Sequence, residues 1–328
     1  MTATNPQHDI PATIPLLAIV GPTASGKTGL ALALAARLRS GEYPVHGATV
    51  VSADSRQIYR SMDIATAKAT PGEQAQLPHA LLDVVWPNES FTLAEYQEAA
   101  NAAIASVWQR GKLPMLVGGT GLYVRAVVDG LTIPAVPPNA DLRAELEALA
   151  SAQGSGALYE KLVALDPVAA ARMDSGNVRR LVRALEVCLV TGRPFSELQG
   201  RRATPYRPLL LGLNMERAAL YARADARIDA MIAAGLVEET RALVERGYSW
   251  SLPAMSSLGY RQMGSYLRGE VSLDEAVEHF KLATHKYIRR QLTWFRSDTR
   301  ISWLDAALPP AQLADQAERH VTAWLNGG

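Results

Sequence analysis

The stretch that decides the fold is residues 21–28, which fit the pattern G-x-x-x-x-G-K-[ST] and consist of Gly21, Pro22, Thr23, Ala24, Ser25, Gly26, Lys27 and Thr28. An apolar, strand-like run precedes them at 16–20, and a helix-like run follows at 29–38. In this context, backbone N–H groups turn toward phosphate oxygens and the helix N-terminus adds a positive dipole. Lys27 supplies a charge, and the Thr28 hydroxyl is a predicted Mg²⁺ ligand. The sequence therefore predicts a phosphate-binding loop rather than an ordinary glycine-containing turn.

Further apolar runs predict the sheet to which this loop belongs. Short β-type runs alternate with helical ones, and each is apolar throughout, as expected where both faces of a parallel sheet are covered. The predicted strands are residues 16–20, 48–52, 113–117 and 209–213. The fold class that follows is α/β, with a P-loop-NTPase-like parallel sheet and flanking helices.

A change in the sequence pattern in the middle of the chain, from alternating strand-like and helix-like runs to helix-like runs alone, predicts a second, smaller domain. Three prolines lie between residues 131 and 138, and the pattern then stays helical to about residue 200. We therefore predict an α/β core with C-terminal helices, formed by residues 1–131 and 201–328. A helical insertion at 132–200 interrupts it.

Composition excludes few functions. Of the 328 residues, 48% are hydrophobic and 20% charged, which is ordinary for a globular enzyme with a substantial core. The formal net charge is +1, so a polyanion would have to bind a local basic patch. The single cysteine, Cys188, lies in an apolar run and is predicted to be a core residue rather than a nucleophile. The N-terminal residues show no leader pattern, and residues 16–20 are too few to cross a bilayer, so we predict a cytoplasmic protein.

An acidic residue follows the second predicted strand. Asp54 lies where the carboxyl ends of parallel strands gather, which is the usual ligand crevice of open α/β sheets. A carboxylate there is suited to act as a general base or a metal ligand, although position alone favours a helix N-cap equally. The strand at 113–117 instead runs into Gly118, Gly119, Thr120 and Gly121 with no acid at its end, which weakens an ATPase interpretation.

Several blocks of sequence resemble, in the same order, the tRNA dimethylallyltransferase family. They are DSRQIY at 54–59 with MDIATAK at 62–68, GGTGLY at 118–123, RLVRALEV at 180–187, GYRQM at 259–263 and RQLTWF at 290–295. With the phosphate loop, the resemblance extends from residue 16 to about 305. The sequence departs from the family at Ala65, where glycine is usual, and at Ala80, where a second histidine is often found.

The resemblance implies transfer of a dimethylallyl group from dimethylallyl pyrophosphate to N6 of the adenine that follows the tRNA anticodon, with Mg²⁺ as cofactor. Breaking the allylic carbon–oxygen bond requires neutralisation of the pyrophosphate, which suits the phosphate loop and Lys27. The family assigns the general base to the position of Asp54 and catalytic contact to that of Thr120. It assigns a pyrophosphate contact to that of Arg223. From the residues alone, Thr120 is equally a turn hydroxyl, and Arg223 is an arginine on a solvated helix face.

Two basic clusters are candidates for holding the anticodon stem-loop of the tRNA. The first lies on a helix of the insertion and comprises Arg179, Arg180 and Arg183, with Leu181 and Val182 between them. A salt bridge from Arg183 to Glu186 is the alternative interpretation.

The second cluster lies on a long helix near the C-terminus and comprises Lys281, Lys286, Arg289 and Arg290. No acidic residue occurs between 281 and 297, and the like charges at 286 and 290 destabilise the helix unless an anion relieves them. An apolar stripe is expected to seat the other side of this helix on the core, through Phe280, Ala283, Tyr287 and Trp294. An ordinary basic surface is the alternative.

Three further groups of tRNA contacts follow from the family. One surrounds Asp54 and consists of Ser55, Arg56 and Gln57. Another is Arg143, near the start of the insertion. The third is a predicted loop with residue types suited to stacking and hydrogen bonding of bases, formed by Ser256, Ser257, Leu258, Gly259, Tyr260 and Arg261.

Other functions compete with this interpretation. A phosphotransferase or NTPase would share the loop, a prenyltransferase acting on free adenine nucleotides would share the loop and Asp54, and a non-catalytic RNA-binding protein would share the basic clusters. The insertion and the basic helix favour a tRNA substrate over a free nucleotide. A chain that closes on one tRNA is predicted to work as a monomer.

Overall fold

Six strands form one parallel sheet in the structure, a computed structural model that describes residues 13–40 and 43–327. In chain order the strands are β1 (Ile14–Val20), β2 (Ala48–Ser52), β3 (His79–Ala80), β4 (Leu113–Gly118), β5 (Leu131–Thr132), β6 (Gly200–Arg201), β7 (Tyr206–Asn214) and β8 (Ser302–Asp305). The large sheet has the order β3-β2-β4-β1-β7-β8, and β5 pairs with β6 in a small antiparallel sheet. The predicted α/β class and the four predicted strands are confirmed.

Helices connect the strands and flank the sheet. They are α1 (Lys27–Ser40), α2 (Pro71–Gln76), α3 (Leu93–Gln109), α4 (Gly121–Val128), α5 (Ala140–Gln153), α6 (Ser155–Leu165), α7 (Pro167–Ala170), α8 (Val178–Thr191), α9 (Phe195–Leu198), α10 (Arg217–Ala233), α11 (Leu236–Glu245), α12 (Tyr260–Leu267), α13 (Leu273–Arg296) and α14 (Pro310–Asn326). Asp166, Asn177 and Ser272 begin α7, α8 and α13 by accepting a backbone N–H with their side chains. Left-handed Gly192 ends α8.

The central strand β1 is buried on both faces. Leu17 and Ile19 pack on one side in a cluster with α1 and α14, while Leu16, Ala18 and Val20 pack on the other with α3. This alternation follows from the two-residue period of a strand. Each fully buried aliphatic side chain of this kind contributes about 1.5–3 kcal/mol relative to exposure. The loop after β1 is therefore anchored to a strand that is buried on both faces.

The chain divides into two compact units. Met1–Val128 and Pro205–Gly328 form the first, which contains the parallel sheet, and Asp129–Thr204 forms the second. The predicted insertion, residues 132–200, lies within the second unit. That unit has its own apolar core, in which Cys188 is buried as predicted.

Among the described residues, no helix is both long and apolar enough to cross a bilayer. Residues 1–12, on which the prediction of no leader segment rests, lie outside the described part of the chain.

A buried carboxylate organises the second unit. Glu186 has no exposed side-chain surface and accepts Nε and Nη2 of Arg143 at 2.8 Å each, Nη1 of Arg183 at 2.6 Å and the N–H of Asn139 at 2.7 Å. Arg183 also donates to the carbonyl of Val136 at 3.1 Å. Burial pushes the pKa of Glu186 upward, but hydrogen bonds from Arg143, Asn139 and Arg183 outweigh it and lower the pKa to about 2. One carboxylate thus fastens the segment before α5 to α8.

We expect Glu186→Ala to destabilise the second unit by about 2–3 kcal/mol. The cost is at the lower end of the range for broken buried ion pairs because both arginines retain partial access to water. The single, buried Cys188 supplies the measurement, since the urea dependence of its reaction with a pyridyl disulfide reports opening of this unit alone. Glu197→Ala is the matched control, because its pair with Arg193 is exposed and contributes less than about 1 kcal/mol. Equal losses in the two variants would contradict this account.

The stability of the second unit should also depend on pH through Glu186. A folded-state pKa near 2, below the ordinary 4.5, gives a contribution that is complete above pH 4.5 and disappears as pH falls toward 2. The stability difference between the wild type and Glu186→Gln should therefore shrink over that interval in the Cys188 labelling experiment. A difference that stays constant from pH 7 to 3 would show that the carboxylate charge is not the stabilising feature.

Candidate active site

The phosphate loop lies between β1 and α1, where the sequence places it. Gly21 and Gly26 have φ values of 145° and 92°, and Ala24 has a φ of 62°. These left-handed conformations produce the compact turn, and glycine adopts them without strain. The helix begins at Lys27, so Thr28 and Gly29 lie in the first turn, where N–H groups lack helical partners.

Lys27 bends back over its own loop. Its Nζ donates to the carbonyls of Pro22 at 2.7 Å and Gly21 at 3.1 Å. Desolvation lowers the pKa of Lys27 to about 8, the charge of Asp54 opposes this shift, and Arg227 adds to it. The ammonium is thus held inside the loop by two carbonyls and is suited to exchange them for a phosphate oxygen.

The ends of β2 and β4 meet beside this loop. A Cβ on Gly118 would lie 2.1 Å from the carbonyl oxygen of Ala53, so only glycine permits this approach. The Thr120 N–H donates to Ala53 at 3.1 Å, and the Thr120 hydroxyl accepts the N–H of Ser55 at 3.1 Å. These bonds cross-link the two strand ends that carry Asp54 and Thr120.

Asp54 caps a turn, not a helix. Its Oδ1 accepts the N–H of Arg56 at 2.9 Å, and residues 55–58 form turns rather than helix. The helix N-cap that position alone allowed is therefore wrong. The carboxylate is held at the strand end with its side chain on the wall of a cavity.

This cavity has a volume of about 1820 Å³ and includes the phosphate loop in its wall. The predicted residues on its wall are Thr23, Ala24, Gly26, Lys27, Thr28, Asp54, Ser55, Arg56, Gln57, Arg223, Ser256, Ser257, Leu258, Arg261, Lys286, Arg289 and Arg290. Thr120 is not among the lining residues and lies behind Ser55, whose N–H its hydroxyl accepts. Ordinary single-ligand pockets measure about 300–1,000 Å³, so this cavity has room for more than one ligand.

Two arginines on α10 face the loop. A Cβ on Gly26 would lie 3.4 Å from Nη2 of Arg223, which places that guanidinium against the loop. Arg227, one helical turn further on, also lines the cavity. Desolvation by the cavity walls lowers the pKa of Arg227 and the charge of Asp54 opposes this shift. The sequence analysis missed Arg227, although its i, i+4 spacing from Arg223 was a usable signal.

The predicted apolar stripe of α13 is wrong in three of its four residues. The buried face contains Phe280, but otherwise consists of Ala276, Thr284, Ile288, Gln291, Leu292 and Phe295. Ala283, Tyr287 and Trp294 line the cavity instead. The sequence pattern assigns aromatic residues to the core, whereas a phenol and an indole also suit a partly wet wall because each combines an apolar ring with a polar atom. Tyr287 has its pKa raised to about 12, chiefly by desolvation.

The basic residues of α13 have different surroundings, and only some of them are paired with acidic side chains. Lys281 pairs with Asp229 at 2.9 Å and Glu278 at 3.6 Å, so for this residue the ordinary-surface alternative fits better. Lys286 and Arg290 line the cavity, and the Arg290 guanidinium lies 5.7 Å from the centre of the Tyr287 ring. Arg289 donates to the Tyr221 hydroxyl at 3.3 Å.

The basic cluster of the insertion is likewise divided. Arg179 and Arg180 are exposed, whereas Arg183 and Arg143 are bound to Glu186. The salt bridge from Arg183 to Glu186, which the sequence offered as the alternative, is present, and a tRNA contact of Arg183 stays a prediction. Leu181 and Val182 are buried in the core of the second unit, so their side chains offer no surface to a tRNA, and the contact expected at these positions stays a prediction.

The predicted loop at 256–261 is partly a helix. Tyr260 begins α12, is fully buried and donates its hydroxyl to Glu239 at 2.6 Å, so its ring is not available for stacking. Gly259 is buried as well, and neither residue lines the cavity. Ser256 and Arg261 are exposed on the cavity wall. The sequence pattern predicted the polar residues of this segment, Ser256 and Arg261, but it did not indicate that the Tyr260 ring is buried in the core.

The donors in the cavity suit a hard cation. The described residues contain no group of three or more His, Cys, Asp or Glu side chains placed to hold a metal ion. Thr28 and Asp54 both line the cavity and offer a hydroxyl and a carboxylate. Mg²⁺ commonly binds through one or two protein oxygens, with phosphates and water completing its shell. The residues present therefore fit a divalent cation that arrives with a phosphate ligand.

A parallel α/β sheet, a phosphate-loop motif and a cationic cavity beside a carboxylate are together typical of α/β proteins that bind phosphate esters. The model of the family described as IPP transferase matches residues 57–298. The chain therefore belongs to the IPP transferase family.

Individual relatives agree with this assignment. The tRNA dimethylallyltransferase of Roseiflexus castenholzii is 55% identical over 296 residues, covering 90% of this chain and 94% of the relative. The crystal structure of the full-length tRNA isopentenylpyrophosphate transferase of Bacillus halodurans is 39% identical, with a TM-score of 0.71 over 95% of this chain and 97% of its own. A eukaryotic dimethylallyltransferase acting on tRNA, 24% identical, shares the fold with a TM-score of 0.75 over 95% of this chain and 78% of its own.

Proposed function

We propose that the protein transfers a dimethylallyl group from dimethylallyl pyrophosphate to N6 of the adenine that follows the anticodon of a tRNA. The observation that carries the proposal is the shared cavity, in which the phosphate loop and Asp54 face the same space of about 1820 Å³. The residues of the loop are suited to a pyrophosphate, and the lining rings of Tyr287 and Trp294 are suited to an aromatic base. The names of the relatives support the same chemistry.

In this proposal the pyrophosphate binds to the N–H groups of the loop with Lys27 and Arg223. The allylic carbon–oxygen bond breaks, and the leaving pyrophosphate takes the electron pair. Cationic groups fixed beside its oxygens stabilise the negative charge that develops there. Mg²⁺, held by Thr28 together with phosphate oxygens and water, would supply further charge neutralisation.

Asp54 acts on the acceptor. The lone pair of the adenine N6 is delocalised into the ring, so the amine is a weak nucleophile until it loses a proton. As N6 forms its bond to the allylic carbon, an N6 proton passes to the Asp54 carboxylate. Oδ1 is occupied by the N–H of Arg56 at 2.9 Å, which orients the carboxylate and leaves Oδ2 as the proposed proton acceptor. Thr120 acts from behind the wall by fixing the backbone of Ser55.

The acceptor base must leave the stack of the anticodon loop, at a cost of a few kcal/mol. Tyr287 and Trp294 offer ring surfaces on the cavity wall for stacking. Lys286, Arg290 and Arg261 line the same wall and are proposed to contact RNA phosphates or base edges. The exposed Arg179 and Arg180 of the second unit are proposed as phosphate contacts outside the cavity. A cytoplasmic location and a monomeric state stay predictions.

The transfer itself is tested with dimethylallyl pyrophosphate, Mg²⁺ and unmodified tRNAs that have adenine after the anticodon. Nucleosides from the digested tRNA are analysed by mass spectrometry. We expect a dimethylallyl adenosine whose rate of formation falls about 10²–10⁴-fold in Asp54→Asn, because the general base is lost. Lys27→Ala should also raise the KM for the pyrophosphate.

Asp305→Asn is the matched control for the carboxylate. Asp305 ends β8, and its Oδ1 accepts the N–H of Ala307 at 2.9 Å, the same turn as at Asp54, but it does not line the cavity. Its activity should equal that of the wild type. Prenylation of free AMP without modification of tRNA would identify a nucleotide prenyltransferase. ATP hydrolysis without any prenyl transfer would restore the NTPase interpretation.

The RNA contacts are tested by the salt dependence of binding to an anticodon stem-loop. Removing one phosphate contact should reduce the slope of log K against log salt by about 1, so Lys286→Ala and Arg290→Ala are each expected to bind more weakly with a smaller slope. Lys281→Ala should retain the wild-type slope, because Asp229 and Glu278 already neutralise that charge. Identical slopes in all three variants would remove α13 from the RNA-binding surface.

A further inference from the structure

Helix α13 carries a buried amide among its apolar residues. Gln291 is 5% exposed and lies between Ile288 and Leu292 on the buried face. An unpaired amide at such a position costs about 1–3 kcal/mol, and leucine or methionine would fill the same volume without that penalty. Packing alone therefore does not explain a glutamine here.

Both ends of the amide are hydrogen-bonded to the loops of the active site. Oε1 accepts the backbone N–H of Thr23 at 2.9 Å, and Nε2 donates to the backbone carbonyl of Gly119 at 3.0 Å. A backbone N–H only donates and a carbonyl only accepts, so these two partners fix the orientation of the amide. One side chain thus joins the phosphate loop to the loop that follows β4.

The loop after β4 is shaped to admit this amide. A Cβ on Gly119 would lie 2.3 Å from Nε2 of Gln291, so no side chain larger than hydrogen fits there without moving the amide. The next residue, Thr120, fixes Ser55 and hence the turn that holds Asp54. The pyrophosphate side and the carboxylate side of the cavity are therefore connected through Gln291.

We propose that Gln291 is a positioning residue for prenyl transfer, which sets the distance and direction between the phosphate loop and the turn that carries the general base. The inference rests on the proposed function. The side chain of Gln291 borders the cavity, but both polar ends of its amide are bound to the backbones of Thr23 and Gly119, so it acts on the reaction through those two loops. The bond also occupies the N–H of Thr23, which is therefore not free to donate to a phosphate.

The test compares Gln291→Glu with Gln291→Leu in steady-state transfer. Both variants should lose about 10–100-fold in kcat, the cost of misplacing reacting groups by about 1 Å. The KM for tRNA should stay within about twofold of the wild type, since the RNA-contacting groups are untouched. Gly119→Ala, which displaces the amide from the opposite side, should reproduce the loss of kcat even if a Gln291 variant folds poorly.

A pH profile separates positioning from packing. In Gln291→Glu the ionised carboxylate still accepts from Thr23 but repels the carbonyl of Gly119, whereas the protonated form donates to it as the amide does. Burial against a carbonyl raises the pKa of such a carboxyl, so the kcat of this variant relative to the wild type should rise between pH 8.5 and 6. Gln291→Leu has no group to titrate and should show no such recovery.

Gln97→Leu is the control for losing an amide that donates to a backbone carbonyl, because Gln97 donates to Ala126 away from the cavity. We expect it to lower the thermal midpoint without lowering kcat. If the Gln291 variants transfer at rates within twofold of the wild type, or if the Gln291→Glu deficit is independent of pH, the positioning role is overturned. If the wild type itself transfers no prenyl group, the proposed function fails instead.

Discussion

The parallel alignment of β1, β2 and β4 is the constraint on which the active site depends. Because all three strands run in one direction, the phosphate loop, the turn with Asp54 and the loop with Thr120 emerge at the same edge of the sheet. Their separation is then fixed by contacts between backbones, above all where Gly118 meets Ala53. A change in the register of any of these strands would separate the anchor for the anion from the carboxylate.

Charge in the protein is arranged locally. The formal net charge of the whole chain is only +1, but the cavity is locally cationic. Its lining includes Lys27, Arg223 and Arg227 and one carboxylate, that of Asp54. Elsewhere, acidic residues neutralise neighbouring cations, as Glu186 does in the second unit and Asp229 does beside α13. The cations that line the cavity without such acidic partners are the ones whose charge an anionic ligand neutralises most favourably.

The sequence was sufficient to predict what depends on local pattern. The phosphate loop, the strands, the α/β class and the place of Asp54 at a strand end all follow from short-range periodicity and spacing. It was insufficient for contacts made by residues far apart in the chain. Nothing near Lys281 indicates Asp229, and nothing near Arg143 indicates Glu186. The aromatic residues of α13 were misplaced because a ring on a wet cavity wall and a ring in a core leave the same pattern.

Gln291 is the clearest example of a residue whose contacts cannot be predicted from its local sequence. Its local context is an ordinary helix face, and its two partners, Thr23 and Gly119, lie 268 and 172 residues away. Only the folded chain shows that a helix near the C-terminus holds together two loops formed near the N-terminus. Long-range hydrogen bonds of this kind carry no periodic signal that a single sequence can reveal.

The loop at 118–121 also restricts how this protein can change over time. A Cβ atom on Gly118 would overlap the backbone of Ala53, and a Cβ atom on Gly119 would overlap the side-chain amide of Gln291. Carbon added to Gly121 would lie 2.0 Å from the Trp294 indole. At Gly118 the obstacle is backbone, so even alanine is excluded, whereas at Gly119 and Gly121 a side chain has to move before alanine can be accommodated. A change in the substrates that the cavity accepts is therefore more easily made at an exposed lining residue such as Ser256 than in this loop.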